Sequence, residues 1–298
     1  MLDLVIIGSG PAGLSASVYA SRAGLSSVIV EKEYMGTGQI AESNKVDNYL
    51  GLPGLDGFSL GEAFREHAEK LGAEFINKEV KELKCDNDIW TVVYDDDSAD
   101  EAKAVVYAAG RRKRELGADN EDKFIGRGIS YCAVCDGAFF KGKDVVVVGG
   151  GDTAVDDALY LSDICNHVYL VHRRDEFRCA PASIERLREK ENVTIITKAN
   201  VSEIDGNERV SSVKLDNGTE LSVDGIFVAI GMLPQTELIE KFGVCDESGY
   251  VLAGEDCVTS KAGLYVAGDI RVKKLRQVIT AAADGANAVN SAIEYIKG

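Results

Sequence analysis

Two apolar runs organise the chain: Asp3-Leu4-Val5-Ile6-Ile7-Gly8 and Asp144-Val145-Val146-Val147-Val148-Gly149. Each follows an aspartate, is rich in β-branched residues and ends at a glycine. Continuous runs of this kind predict parallel strands buried on both faces. A helical pattern follows each, Leu14 to Arg22 and Ala154 to Ser162. A second strand comes next, Val28-Ile29-Val30 in one copy and Val168-Tyr169-Leu170-Val171 in the other. The joining turns are Gly8-Ser9-Gly10-Pro11-Ala12-Gly13 and Gly149-Gly150-Gly151-Asp152-Thr153-Ala154. Both match the dinucleotide fingerprint. Its first glycine makes a tight turn, its second lets the backbone approach a pyrophosphate, and its third, with alanine tolerated as at 154, lets helix and strand pack. The helix N-terminus then offers free N–H groups to the phosphates. A single fingerprint is often only a glycine turn. Two, each in a strand–turn–helix–strand frame, predict an α/β fold of two Rossmann-like, doubly wound nucleotide-binding domains.

The copies echo again later. Val105-Val106-Tyr107-Ala108-Ala109-Gly110 resembles Ile226-Phe227-Val228-Ala229-Ile230-Gly231. A third strand end, Leu264-Tyr265-Val266-Ala267-Gly268-Asp269, finds no counterpart in the second copy by sequence. The simplest organisation inserts the second module into the first. Residues 1–113 and 244–298 then form one domain and 114–243 the other. The chain crosses twice between them, near Arg111 to Gly117 and near Met232 to Gly243, as a hinge would.

The end of the second strand reads the ribose. Glu31 stands 23 positions after Gly8, and His172 stands 23 positions after Gly149. An acid at this place binds a ribose 2′-hydroxyl and repels a 2′-phosphate, so the first site suits FAD or NAD. In the second copy the acid gives way to His172-Arg173-Arg174, with Arg178 following. Guanidinium groups bind phosphate through charge-assisted, bidentate hydrogen bonds, so the second site is expected to prefer NADPH over NADH.

The 298 residues allow about two ordinary domains. A formal charge of −16 argues against a nucleic-acid binder and against docking on anionic lipid. No basic leader, cleavage site or membrane-length apolar run is present, and a cytoplasmic location is expected. Seven cysteines cannot all pair internally, and Cys85, Cys165, Cys179, Cys245 and Cys257 are scattered, unlike a secreted disulfide framework.

The remaining pair lies in Cys132-Ala133-Val134-Cys135-Asp136. A zinc site wants four ligands, and no second such motif exists. Buried structural thiols remain open, as does a redox-active disulfide with a lowered thiol pKa. Asp136 favours the redox reading, because a carboxylic acid there can move the proton that thiolate chemistry requires. Beside a merely structural pair it would raise the thiol pKa. Two nucleotide sites and one dithiol suggest a relay from nicotinamide to flavin to disulfide.

These motifs, together with His172-Arg173-Arg174-Asp175-Glu176-Phe177-Arg178, Gly268-Asp269 and Arg276-Gln277, resemble the low-molecular-weight thioredoxin reductases of bacteria from end to end. The resemblance implies a homodimeric flavoenzyme, with FAD and NADPH as cofactors and thioredoxin as protein substrate. It places Cys135 against the flavin, Cys132 as the interchange thiol and Asp136 as acid–base partner. FAD is expected on Gly8, Ser9, Gly10, Pro11, Ala12, Gly13, Glu31, Gly38, Gln39, Asn48, Ala109, Gly110, Gly268, Asp269, Arg276, Gln277 and Val278. NADPH is expected on Gly149, Gly151, Asp152, Thr153, Ala154, His172, Arg173, Arg174 and Arg178. Ala109 stands where many members carry threonine, Asp152 where some carry asparagine, and Arg111-Arg112-Lys113-Arg114 is unusually basic. Because nicotinamide site and dithiol share one domain, rotation between two poses is expected during turnover. Rival readings are a reductase of another thioredoxin-like partner, an NADPH-independent flavin dithiol oxidase, and a non-catalytic flavin redox sensor.

Overall fold

The computed structural model describes residues 1–43 and 45–298, with the side chains of Glu42 and Cys135 outside the description. The chain forms two compact units, Met1–Arg112 with Leu233–Gly298, and Lys113–Met232. The second return therefore comes before the expected Gly243. The reason is apolar: Leu238, Ile239, Phe242 and Val244 pack with Val5, Trp90 and Val105 of the first unit, and Phe242 meets the Trp90 ring edge-on at 5.2 Å.

In the first unit, Leu2–Ile7 lies at the centre of a seven-stranded sheet. It pairs in parallel with Ser27–Glu31 on one side and Ala99–Tyr107 on the other. Glu74–Asn77 extends one edge in parallel. The long strand Ala99–Tyr107 carries an antiparallel meander, Ile89–Tyr94 and Val80–Asp86, along its first half. Leu264–Val266 pairs in parallel along its second half. Side chains alternate across a strand, so Leu4 and Ile6 face a core built with Leu14, Ala16 and Val289. Val5 and Ile7 face the opposite core, with Trp90, Tyr94 and Val105. Burial on both faces is why the run shows no polar alternation.

The second unit repeats this plan. Val193–Thr197, His167–His172, Asp144–Val148, Gly225–Val228 and Ile129–Ser130 form one five-stranded sheet in that order, all parallel. A separate antiparallel meander spans Val201–Gly206, Val210–Leu215 and Glu220–Ser222. The strand end after Leu264 does have a counterpart: Ile129–Ser130 pairs with Ile226 and Phe227 as Leu264–Val266 pairs with Val105 to Tyr107. It precedes the rest of its module in the chain, whereas Leu264–Val266 comes last.

The fingerprint helix of the first unit, Pro11–Arg22, packs on the C-terminal helix Val278–Lys297 through small residues. Ala12, Ala16, Ala288 and Ala292 are buried in one cluster, and Ser15 Oγ donates to the Ala282 carbonyl at 2.7 Å. A Cβ on Gly285 would lie 2.1 Å from the Ala12 carbonyl oxygen. Backbone cannot move aside as a side chain can, so Gly285→Ala is expected to cost about 1–3 kcal/mol. Chemical denaturation checks this.

On the second fingerprint helix, Asp152–Ser162, burial and the neighbouring Asp156 carboxylate push Asp157 up to about 6. Its neutral form is therefore favoured in the fold. The unfolded chain releases this proton from about pH 4, so the cost to the fold grows from pH 4 to 6 and is complete above that. Asp157→Asn is expected to match the parent near pH 4 and to melt at higher temperature than the parent at pH 8. Calorimetry at the two pH values checks it.

Candidate active site

The first fingerprint turn is tied to the second strand through Glu31. Its Oε2 accepts from the Ser9 N–H at 3.0 Å and lies 2.8 Å from Ser9 Oγ. Its Oε1 accepts from the Glu33 N–H at 3.0 Å. A carboxylate has about four acceptor positions, so the acid keeps capacity for a hydroxyl. Gly10 caps the helix without a side-chain hydrogen bond, and no acid stands in the first turn. The leading N–H groups are thus arranged for an anion.

The other residues expected at this nucleotide lie on the same unit, in two linked groups. Asn48 Nδ2 donates to Gln277 Oε1 at 2.8 Å, and Gln277 opens the C-terminal helix in a reciprocal capping box with Thr280. Gln39 Nε2 donates to the Arg111 carbonyl. Arg276 Nε donates to the Asp269 carbonyl at 3.2 Å, and its guanidinium lies 4.5 Å over the Tyr250 ring.

One acid that the sequence does not single out holds this region together. Asp284 of the C-terminal helix accepts from the Gly268 N–H at 3.0 Å. It pairs with Arg271 at 2.6 Å and Lys273 at 2.7 Å, all three side chains being nearly buried. The loop bearing Asp269 and Arg276 is thereby pinned to the helix. Below it, burial and the Asp284 carboxylate push the Cys257 thiol up to about 12.

Asp269 forms an ion pair with Arg111, Nη2 to Oδ2 at 2.9 Å. Among the described residues, Asp269 Oδ1 and Arg111 Nε are buried without a hydrogen-bond partner. Buried polar groups are normally satisfied. Uncapped N–H groups, an acid with spare acceptor positions and a buried donor–acceptor pair together fit a dinucleotide carrying phosphate and hydroxyl groups.

The second fingerprint has a different chemistry. The His172 ring lies against Gly150, where a Cβ would fall 2.2–2.4 Å from the ring atoms. The ring also lies 5.0 Å from Phe177, with Nε2 3.1 Å from the Glu176 carbonyl. The Arg178 N–H donates to the Gly150 carbonyl at 2.7 Å, and Asp152 Oδ1 accepts from the Ala180 N–H at 2.9 Å. This returns the arginine segment to the turn. Thr153, Arg173, Arg174 and Arg178 are exposed. Among the described residues none of these three guanidiniums is ion-paired to an acid. Gly151 caps the helix without a side-chain hydrogen bond.

The redox motif starts at the end of strand Ile129–Ser130, with a short helix Ala133–Asp136 behind it. Cys132 is disulfide-bonded; the Cys135 side chain lies outside the described residues. Ser130, buried and not anticipated from the sequence, links the parts. Its Oγ donates to Asp136 Oδ2 at 2.7 Å and accepts from the Cys132 N–H at 3.1 Å. The Asp136 N–H donates to the Cys132 carbonyl at 3.1 Å. The Ser130 hydroxyl thus ties the carboxylate to the cysteine backbone. Cys85, Cys165, Cys179, Cys245 and Cys257 are free thiols, and burial pushes Cys165 up to about 11. Among the described residues no cluster of histidine, cysteine and acidic side chains can hold a metal ion, and no helix is long and apolar enough to cross a membrane.

Comparison with known proteins agrees with this geometry. The family model of pyridine nucleotide-disulphide oxidoreductases matches residues 2–285. The chain is similar to the thioredoxin reductase of Bacillus subtilis, 41% identical over 99% of this chain and 95% of that one. Among solved structures it is similar to the thioredoxin reductase of Streptococcus pyogenes, 38% identical with a TM-score of 0.83 over 100% of this chain and 98% of that one. The thioredoxin reductase of Lactococcus lactis is 33% identical with a TM-score of 0.76, covering 100% and 99%.

Gly150→Ala is expected to displace the His172 ring and cost about 1–2 kcal/mol through its lost hydrogen bond and packing. Gly151→Ala, whose Cβ would meet nothing within 4 Å, is expected to be neutral. Calorimetry of the two variants checks the contrast.

Proposed function

The chain belongs to the pyridine nucleotide-disulphide oxidoreductases, and within them to the thioredoxin reductases, and from that premise we propose that it reduces the disulfide of thioredoxin at the expense of NADPH. The observation that carries the reading is the disulfide at Cys132, seated beside Asp136 on the unit that also carries the exposed Arg173, Arg174 and Arg178. The family uses FAD and NADPH. We assign FAD to the unit Met1–Arg112 with Leu233–Gly298, and NADPH and the redox pair to Lys113–Met232.

Gly10 and the helix behind it receive the FAD pyrophosphate, and Glu31 the adenosine ribose. Gln39, Asn48, Asp269, Arg276 and Gln277 complete that site. Gly151 and Thr153 receive the NADPH pyrophosphate, while Arg173, Arg174 and Arg178 bind the 2′-phosphate with His172 beside them. When bound, the flavin supplies the two-electron step between the nicotinamide and the disulfide.

The protein chemistry follows from the thiols. In the reduced state the Cys132 thiolate attacks one sulfur of the thioredoxin disulfide. A mixed disulfide forms and one thioredoxin thiolate leaves. Asp136, held by the Ser130 hydroxyl, delivers the proton to that leaving sulfur. Cys135 then attacks Cys132, re-forms the internal disulfide and releases the second thioredoxin sulfur. The resemblance further supports a homodimer acting in the cytoplasm.

NADPH oxidation by FAD-loaded protein tests this. A rate that depends on oxidised thioredoxin and is abolished in Cys132→Ser is expected. Arg173→Ala with Arg174→Ala is expected to raise KM for NADPH about 10–100-fold, as loss of charged hydrogen bonds requires, with little change for NADH. Flavin reduction without thioredoxin dependence assigns the dithiol to another disulfide partner instead.

A further inference from the structure

Among the described residues, the buried side-chain nitrogens and oxygens without a partner are Trp90 Nε1, Arg111 Nε and Asp269 Oδ1. Two of the three belong to one ion pair. A guanidinium meeting a carboxylate side-on ordinarily closes both arms of the fork. Here one arm is closed, Nη2 to Oδ2 at 2.9 Å, while the donor Nε and the acceptor Oδ1 are left open. Leaving two such groups buried and unsatisfied costs several-fold more than an ordinary hydrogen bond returns.

The identity of the missing partner follows from its required chemistry. It must accept from Nε–H and donate to Oδ1. A phosphate satisfies the arginine and is repelled by the carboxylate. An amide N–H or a cation satisfies the carboxylate and opposes the arginine. A hydroxyl, of a ligand or of a water, does both, and the position of the pair decides between them.

The position of the pair narrows the source. Arg111 follows the end of strand Ala99–Tyr107, and Asp269 follows the end of its parallel neighbour Leu264–Val266. Ligands of open α/β sheets bind outside such strand ends. Both backbones are held: the Arg111 carbonyl accepts from Gln39, the Asp269 carbonyl from Arg276 and the Ala109 carbonyl from Gln235. The ribose end of the fingerprint is already served by Glu31.

We propose that Arg111 is a flavin-binding residue, closing with Asp269 a clamp on one hydroxyl of the ribityl chain. The basic residue that departs from the family pattern is then part of the cofactor site, not of a solvent-facing hinge. The proposal rests on the FAD assignment above and adds a residue and a chemical target to it.

Calorimetric titration of the flavin-stripped full chain with FAD and with ADP tests it, since ADP carries the adenosine pyrophosphate and no ribityl chain. Arg111→Ala is expected to weaken FAD about 10–100-fold, the loss expected for a hydrogen bond to a charged group, and to leave ADP unchanged. Arg111→Lys retains the charge facing Asp269 and hence the local fold, but lacks the second arm, and is expected to stay weak for FAD. Equal loss of FAD and ADP, unchanged FAD affinity in Arg111→Ala, or full recovery in Arg111→Lys would each overturn the clamp. Failure of the unaltered chain to bind FAD overturns the FAD assignment itself.

Discussion

The steric constraint at the fingerprint turns governs where chemistry can occur in this protein. A Cβ on Gly13 would lie 1.8 Å from the Gly8 carbonyl oxygen, so the helix sits directly on the end of its strand. The second module solves the same problem from the other side. There Ala154 carries the methyl group, and Gly149 is the residue with no room, its Cβ falling 2.7 Å from that methyl. Each helix therefore presents its first N–H groups at the rim where parallel strands end. Glu31 and Asp269 take their places at this rim in one unit; His172 and Cys132 do so in the other.

That rim is expensive to maintain. Asp284 brings a carboxylate into the protein interior, a cost of several kcal/mol unless its lone pairs are filled. Arg271, Lys273 and the Gly268 N–H fill them. The reward is positional: the Asp269 loop is fixed by the same helix that packs on the fingerprint helix. Ser130 plays a comparable part in the second unit with a neutral group, one hydroxyl joining Cys132 and Asp136.

Much of this was legible in the chain. The apolar runs, the repeated fingerprints and the equal spacing to Glu31 and His172 announce two doubly wound modules, because burial on both faces and close turns demand those residue types. Other features had no local signature. Ile129–Ser130 contributes two residues to its sheet, too few for any periodicity, so this strand leaves no mark in the sequence of the second module. Residues 233–243 looked like linker because their apolar side chains are spaced among charges, yet Ile239 is fully buried. Ser130 matters through a hydroxyl that joins two near neighbours, Asp284 through partners eleven to sixteen positions away, and Gly150 through a ring that fills the space above its backbone, and none of these shows in composition. Arg111 read as part of a basic stretch, and only its pairing with Asp269 separates it from its neighbours.

The place of Leu264–Val266 also sets an order of assembly. Its partner Val105 lies 159 positions earlier, with the whole of Lys113–Met232 made in between. The inserted unit is continuous and closes its sheet from residues within its own span, while the outer sheet waits for a strand made after it. Distant pairings form late because loop closure opposes them until the contacts exist. On a ribosome releasing the chain from its N-terminus, the module carrying the thiols is complete first. The strand end that bears Asp269 emerges only after that whole module, so the outer sheet is completed after the inserted one. The outer sheet spends that interval with part of the edge of Ala99–Tyr107 uncovered, and an open edge is a template for pairing with another chain.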